Sequence, residues 1–299
     1  MSQFYTHLRQ ILAMTHDENE SRAIAFLLLE DVCQLSRTDV MMGRGDELSD
    51  FQKSTLEQMA SRIADGEPVQ YVIGKAEFMG LPISVASGVL IPRPETEELV
   101  EYVLTHIAST AESFTDTSAL TDTSVLKILD IGTGSGCIAL SLKHHLPNAE
   151  IHAIDISDAA LQQASANADN LGLSITFHKC DILDTRQVSE TFGGSDGQFS
   201  AIVSNPPYIC DSERTDMETN VLDHEPSLAL FVPDDDPLLF YRAIGNIALP
   251  LLRKEGILAF EINRRYGAEV CTLLESLGYH AVELHLDIFG NQRIVTARR

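Results

Sequence analysis

No apolar run in the chain approaches the ~18 residues that a membrane-spanning helix needs, so no such helix is expected. The opening stretch, residues 1–16 (MSQFYTHLRQILAMTH), lacks the apolar centre of a secretory signal, and a cytoplasmic location is expected. Five cysteines, at positions 33, 137, 180, 210 and 271, form no C-x-x-C pair and fit a reducing compartment. The ten histidines are scattered, and the adjacent pair His144-His145 cannot face one ligand from a helix, so no metal site is expected. No internal repeat is visible. Basic residues are scarce: 21 Lys and Arg stand against 44 Asp and Glu, a formal net charge of −23. The excess is uneven, with thirteen acids to seven bases in residues 1–87 and thirty-one to fourteen in 88–299. Neutralising phosphates requires a basic patch, so this balance disfavours free DNA or RNA as a partner. An acidic face suits a basic protein partner, although solubility alone accounts for much of such charge.

Against these absences stands Asn205-Pro206-Pro207-Tyr208, directly behind the buried-strand pattern of residues 199–203 (FSAIV). The tetrapeptide leaves the carboxyl end of a strand, where open α/β sheets place their ligands. Two prolines fix their own φ angles and hold Asn205 extended. The Asn205 side-chain oxygen and the Pro206 carbonyl can then accept both hydrogens of one planar –NH2 group, with the Tyr208 ring stacked on its plane. The bland alternative is a proline-stiffened loop.

A second pattern precedes it. Residues 126–131 (LKILDI) read as a strand, 132–136 (GTGSG) as a glycine turn, and 137–145 as a helix. Such a turn lets a ligand approach the backbone and meet helix N-terminal N–H groups. A dinucleotide fingerprint needs glycine or alanine at the position of Cys137, so a nucleoside ligand without pyrophosphate is expected and NAD is not. Residues 150–155 (EIHAID) form a second strand whose closing acid, Asp155, suits the hydroxyls of a ribose. Residues 175–178 (ITFH) lead to Asp181, placed to accept from an adenine amino group. Either acid alone could be a helix or turn cap. Asp130, Asp155 and Asp181 at three successive strand ends are harder to explain that way.

In this order, residues 130–140 (DIGTGSGCIAL), Asp155, Asp181 and the NPPY tetrapeptide resemble a class I S-adenosylmethionine-dependent methyltransferase, in the form used on planar nitrogens. The likeness reaches further, through 66–71 (GEPVQY), 78–82 (FMGLP), 90–97 (LIPRPETE), 224–226 (HEP) and 290–293 (GNQR), to the bacterial HemK/PrmC family. It spans the chain from about residue 20 to the end. The resemblance implies a Rossmann-like, mostly parallel seven-stranded sheet with a C-terminal antiparallel hairpin, plus a small N-terminal helical domain. It implies methyl transfer from S-adenosylmethionine, leaving S-adenosylhomocysteine, to the glutamine amide in the Gly-Gly-Gln loop of class I peptide chain release factors, an event of translation termination. Asn205, Pro206, Pro207 and Tyr208 would be catalytic. Asp130, Gly132, Thr133, Gly134, Ser135, Gly136, Asp155, Asp181, Ile182 and Asn205 would hold the donor, with Asp130 near its ammonium. A monomer acting on a protein partner is expected. Competing readings are a glutamine methyltransferase of a ribosomal protein, whose linker resembles V-P-R-S-P instead, an amino-group methyltransferase of nucleic acid, and a donor-binding protein without catalysis. In one departure, Asn263 stands where the family pattern would place glycine after Phe260-Glu261. Glu261 is expected either to support the site from behind or only to close the fold.

Domain boundaries are expected at 1–64 (helical, substrate-recognising), 65–87 (linker with a β-hairpin) and 88–299 (methyltransferase). Helices are expected over 4–14, 21–33 and 49–63, and two strands in 69–86 around residues 74–77. Residues 109–124 read as a mobile Ser/Thr/Asp-rich insertion, 186–198 as a loop, and 211–236 as irregular. A helix over 237–252 and strands near 256–262, 280–287 and 291–297 complete the chain.

Overall fold

The structure is a computed structural model, and it describes residues 2–113, 125–193 and 197–299. It divides into two compact units. The first comprises Met1–Lys75, Val85–Ser87 and Met217–Glu225, and the second Ala76–Ser84, Gly88–Asp216 and Pro226–Arg299.

In the first unit, α1 (Gln3–Leu12) starts at Ser2, whose hydroxyl accepts from the Tyr5 N–H. Tyr5, Leu8 and Leu12 recur at helical spacing and are wholly buried. Helix α2 (Glu18–Cys33) opens on an Asp17/Glu20 capping box, and a short α3 (Arg37–Met41) follows. Helix α4 (Asp50–Ala64) opens on a Ser49/Gln52 capping box. These helices share one core that includes Phe26, Leu28, Leu29, Leu56 and Ile63. Residues 69–73, expected to be extended, instead form α5 (Val69–Ile73). Gly74, at φ +87°, caps that helix and is not the hairpin turn. The hairpin, β1 (Lys75–Phe78) and β2 (Leu81–Ser84), turns at Met79-Gly80, where both residues have positive φ as a tight two-residue turn requires.

The second unit holds α6 (Pro94–Ser113), with Pro94 at its start, where a missing N–H costs nothing. The helix runs on through Ser113, into the stretch expected to be an insertion, and residues 114–124 lie outside the described residues. Then come β3 (Lys127–Ile131), α7 (Cys137–His145), β4 (Glu150–Asp155), α8 (Asp158–Leu171) and β5 (Thr176–Lys179). The expected loop after it is in part a helix, α9 (Thr185–Phe192), capped by Asp184 and anchored by buried Val188 and Phe192 one turn apart. Residues 194–196 of that loop lie outside the described residues. Strand β6 (Phe199–Ser204) is buried throughout.

The segment 211–236 is more regular than its composition suggests. It holds a 3-10 turn (Asp211–Asp216), α10 (Thr219–His224, part of the first unit) and α11 (Ser227–Leu230). Short strands β7 (Ile209–Cys210) and β8 (Phe231–Val232) pair across it in parallel. Helix α12 (Leu239–Leu251), β9 (Leu252–Glu261), an unexpected α13 (Gly267–Leu277), β10 (His280–Leu286) and β11 (Gln292–Arg298) close the chain.

The seven-stranded sheet has the order β10-β11-β9-β6-β3-β4-β5. Strands β5, β4, β3, β6 and β9 run parallel, and β11 and β10 add the expected antiparallel edge. From β3 the chain builds outward to β4 and β5, then returns across β3 to begin β6 on its other side. That reversal places a crevice at the carboxyl ends of β3 and β6.

Candidate active site

Parallel register sets Ile131 beside Ser204, so the glycine turn and the NPPY segment leave the sheet side by side. The Ser204 hydroxyl donates to the Ile131 carbonyl at 2.7 Å and ties the two exits together. A cavity of about 220 Å³ opens here, within the second unit. Gly132, Thr133, Gly134, Ser135, Asp155, Asp181, Ile182, Asn205, Pro206 and Pro207 all line it. Asp130, Gly136 and Tyr208 do not.

The turn needs its glycines for two reasons. Gly132, Gly134 and Gly136 have φ of +76°, +57° and +85°, where side chains are strained. A Cβ on Gly136 would also come within 3.0 Å of the Ala164 Cβ on α8. Asp155 grips the turn directly: Oδ2 accepts from the Gly134 N–H and Oδ1 from the Ser157 N–H, both at 2.9 Å. The cap of α8 is therefore Ser157, and Asp155 is left facing the cavity. Burial raises the pKa of the Asp155 carboxyl, opposed by those backbone donors. Asp181 closes a local turn through its Oδ1 to the Leu183 N–H at 2.9 Å, while Asp184 caps α9.

Asp130 lies wholly buried beneath the turn, behind Thr133. The Thr133 hydroxyl donates to its Oδ2 at 2.6 Å, while its buried Oδ1 has no partner of normal hydrogen-bond geometry among the described residues, the Ala139 N–H supplying only a weaker interaction with the carboxylate. Burial pushes the Asp130 carboxyl up to about 7, with nearby Asp155 adding to the rise. An orphaned carboxylate oxygen under the loop is an acceptor matched to a cationic ligand. An open glycine turn and the cavity acids Asp155 and Asp181 complete a set that fits a nucleoside bearing positive charge.

The catalytic segment is braced from behind by residues far away in the chain. Asn205 Nδ2 donates to Thr96 Oγ1 at 3.2 Å, and that hydroxyl donates to Glu261 Oε2 at 2.6 Å. Tyr208 donates its hydroxyl to the other oxygen, Oε1, at 3.0 Å. The Tyr208 ring packs against the core that contains Phe260 and Ile262, and burial holds its pKa well above the ordinary value. Glu261 is 1% exposed. Burial raises its pKa, while the Thr96 and Tyr208 hydroxyls and the Arg293 charge pull it back. Asn263, the departure from glycine, donates through Nδ2 to the Tyr208 carbonyl at 3.0 Å and to Glu213 Oε2 at 2.8 Å. It is thus a strut under the NPPY segment. Thr96 was not expected at the site. Its signal was its place in the 90–97 (LIPRPETE) motif, where it is the one hydroxyl in an otherwise acidic first helical turn.

Comparison with known proteins decides the family. Residues 3–74 match the PrmC N-terminal domain and residues 122–283 a methyltransferase domain. The release factor glutamine methyltransferase of Bacteroides thetaiotaomicron is 41% identical over 299 residues, covering 100% of both chains. The chain belongs to the release factor glutamine methyltransferase family. Family members from Flavobacterium psychrophilum (41% identical, covering 98% of this chain and 96% of that one) and Streptococcus pneumoniae (36%, covering 99% and 97%) match equally along their length. This release factor glutamine methyltransferase family chain is therefore an S-adenosylmethionine-dependent enzyme, and its cavity lies at the switch point where such a fold keeps its ligands. Among the described residues no helix is long and apolar enough to cross a membrane.

Proposed function

We propose that the enzyme methylates the side-chain amide nitrogen of the glutamine in the Gly-Gly-Gln loop of class I peptide chain release factors, acting as a monomer in the cytoplasm. The observation that carries this reading is the placement of Asn205, Pro206 and Pro207 on the wall of the same cavity as the Gly132–Gly136 turn. Two oxygen acceptors beside a donor-binding loop suit a planar –NH2 group and nothing larger in charge. S-adenosylmethionine, when bound, supplies a methyl group already activated on a sulfonium. The glycine turn, Asp155, Asp181 and Ile182 would hold it, with Asp130 compensating its positive charge from below. Asn205 and the Pro206 carbonyl would take the two amide hydrogens and aim the nitrogen lone pair along the transfer line, while Tyr208, packed against the core and not on the cavity wall, would hold the segment in place through its bond to Glu261. Alignment of this kind is worth about 7–11 kcal/mol of barrier. The bonds to the amide hydrogens strengthen as the nitrogen becomes positive, so they favour the transition state over the ground state. One proton then leaves the methylated nitrogen for water, so a strong general base is not needed.

Mass spectrometry of a whole release factor incubated with isotopically labelled donor tests the reading. One label on the glutamine of the Gly-Gly-Gln loop is expected. Label confined to a ribosomal protein, or none at all, would overturn it.

The charge on Asp130 makes a binding prediction. Its folded pKa of about 7 lies above the ordinary carboxylate value, so the unliganded protein keeps it protonated below that pH. A cationic ligand favours the ionised form, so binding below pH 7 must release a proton. Donor affinity measured by calorimetry should rise by up to about tenfold per pH unit as pH approaches 7 from below, then level off. Asp130→Asn should give a flat profile; an unchanged profile would remove Asp130 from the donor site.

We also assign the first unit a role in recognising the release factor. It has its own core, yet leaves Met42 and Phe51 exposed at 78% and 81%. A second contact raises affinity through effective concentration. Met42→Glu with Phe51→Glu should lower kcat/KM on the whole factor by roughly 10-fold or more and leave a short Gly-Gly-Gln peptide unaffected. Equal losses on both acceptors would assign these positions to folding alone.

A further inference from the structure

We infer that Thr96 and Glu261 are positioning residues that fix which end of the Asn205 amide faces the acceptor, and so help the enzyme choose glutamine over glutamate. The inference rests on the methyl-acceptor reading given above.

A count of protons fixes the orientation. A hydroxyl has one hydrogen to give and lone pairs to receive. Thr96 spends its hydrogen on Glu261 Oε2 at 2.6 Å, a short bond to a buried carboxylate. Toward Asn205 the same oxygen can therefore only accept. The NH2 end of the Asn205 amide supplies that donor at 3.2 Å. Rotating the amide by half a turn would set its oxygen against the lone pairs of Thr96, losing the bond and opposing two acceptors. Oδ1 is thereby left for the cavity that Asn205 lines. Unheld, the terminal torsion of an asparagine is broad and roughly two-fold, so both ends would be offered in turn.

Burial raises the Glu261 pKa, and the Thr96 and Tyr208 hydroxyls and the Arg293 charge oppose that rise in favour of the ionised form that accepts from Thr96. Glu261 receives a second hydrogen bond from Tyr208. Arg293, whose charge favours ionised Glu261, is itself paired to the buried Asp287 at 3.4 Å. One carboxylate thus positions both ends of the NPPY segment, Asn205 through Thr96 and Tyr208 directly. Thr96 is 109 residues from Asn205 and 165 from Glu261 in sequence. All three meet at the sheet's switch point.

The consequence is chemical selectivity. An acceptor oxygen facing the cavity pairs with the hydrogens of a glutamine amide and repels a glutamate carboxylate of the same shape. A site whose polar group is held one way rejects the mismatched analogue strongly. Losing the clamp should cost turnover on glutamine and weaken the rejection of glutamate.

The test compares Thr96→Val, which keeps shape and loses the hydroxyl, with Thr96→Ser, which keeps the hydroxyl. With a Gly-Gly-Gln peptide, Thr96→Val should reduce kcat by about 10- to 100-fold at unchanged donor affinity, and Thr96→Ser should stay within about threefold of the unaltered enzyme. In competition, the preference for binding a Gly-Gly-Gln over a Gly-Gly-Glu peptide should shrink at least several-fold in Thr96→Val and persist in Thr96→Ser. A Thr96→Val enzyme with unaltered kcat and selectivity would overturn the inference, as would equal impairment of the serine variant. If Thr96→Val does not fold, the side-chain amide of Asn205 in the unaltered protein decides by nuclear magnetic resonance. One Nδ2 proton should be protected from exchange there and in Thr96→Ser, and two freely exchanging protons would refute the clamp. Should the unaltered enzyme methylate no glutamine peptide or release factor, the acceptor reading itself fails, a result distinct from each of these.

Discussion

Asn205→Ala is expected to lower turnover by about two to three orders of magnitude, the ~2.7–4 kcal/mol that one oriented polar contact in an active site typically supplies. Donor affinity should remain close to that of the unaltered enzyme. The two effects separate because the residues fall into two groups on the cavity wall. The donor side is the Gly132–Gly136 turn with Asp155 bonded into it, together with Asp181 beyond β5. Asn205 belongs to the other, acceptor group, where its amide nitrogen is tied to Thr96. Removing the side chain should therefore leave the turn intact while the acceptor nitrogen loses one of its two oxygen partners. Single-turnover kinetics alongside calorimetry with S-adenosylhomocysteine check this. Near-normal turnover would remove Asn205 from catalysis, and a large loss of donor affinity would move it to the donor site.

The parts of this molecule legible in its sequence are those whose chemistry is local. The glycine turn is written in five consecutive residues because three positive φ angles must occur within one loop. The strands β3 and β6 are short, mostly apolar runs buried almost throughout, β4 alternates partly buried polar with buried apolar residues over its first four positions, and the boundaries of all three fell within a residue of expectation. What stayed hidden was of two kinds. Helices α9 and α13 carry only two fully buried apolar side chains each, Val188 and Phe192 in one and Val270 and Leu274 in the other, with Cys271, Leu273 and Leu277 of α13 partly buried beside them. Their polar faces and flanking glycines outweigh that signal when no neighbour is known. At 69–73 the β-branched Val69, Val72 and Ile73 suggest a strand, but Gly74 in a left-handed conformation ends a helical turn there. The bracing of NPPY was hidden for a different reason. Thr96 comes from one stretch and Glu261 and Asn263 from another, and the hydrogen bonds that join them to each other and to Asn205 and Tyr208 leave no pattern in either stretch. Asn263 stood out only as an exception to glycine, and its function became visible once its amide was seen under the Tyr208 carbonyl.

The other large effect is expected at Gly136. Gly136→Val should destabilise the second unit by about 2–5 kcal/mol and abolish measurable donor binding. Two costs combine. A side chain at φ +85° enters the left-handed region at ~1–2 kcal/mol, and a β-branched one suffers most. The added carbon would also sit 3.0 Å from the Ala164 Cβ and 3.2 Å from a Leu140 methyl, an overpacking cost of ~1–3 kcal/mol. Helices α7 and α8 must then separate, and the turn between β3 and α7 moves with them. Because Asp155 is bonded to the Gly134 N–H of that turn, the displacement also draws the carboxylate off its place in the cavity. Gly134 provides the control. Its φ is +57°, but no atom lies within 4 Å of a Cβ built there, so Gly134→Ala should cost only the conformational part, ~1 kcal/mol. Chemical denaturation and donor titration of both variants distinguish packing from backbone strain. If Gly136→Val and Gly134→Ala lose stability equally, the contact with α8 carries no weight and the turn is glycine-rich for its dihedral angles alone.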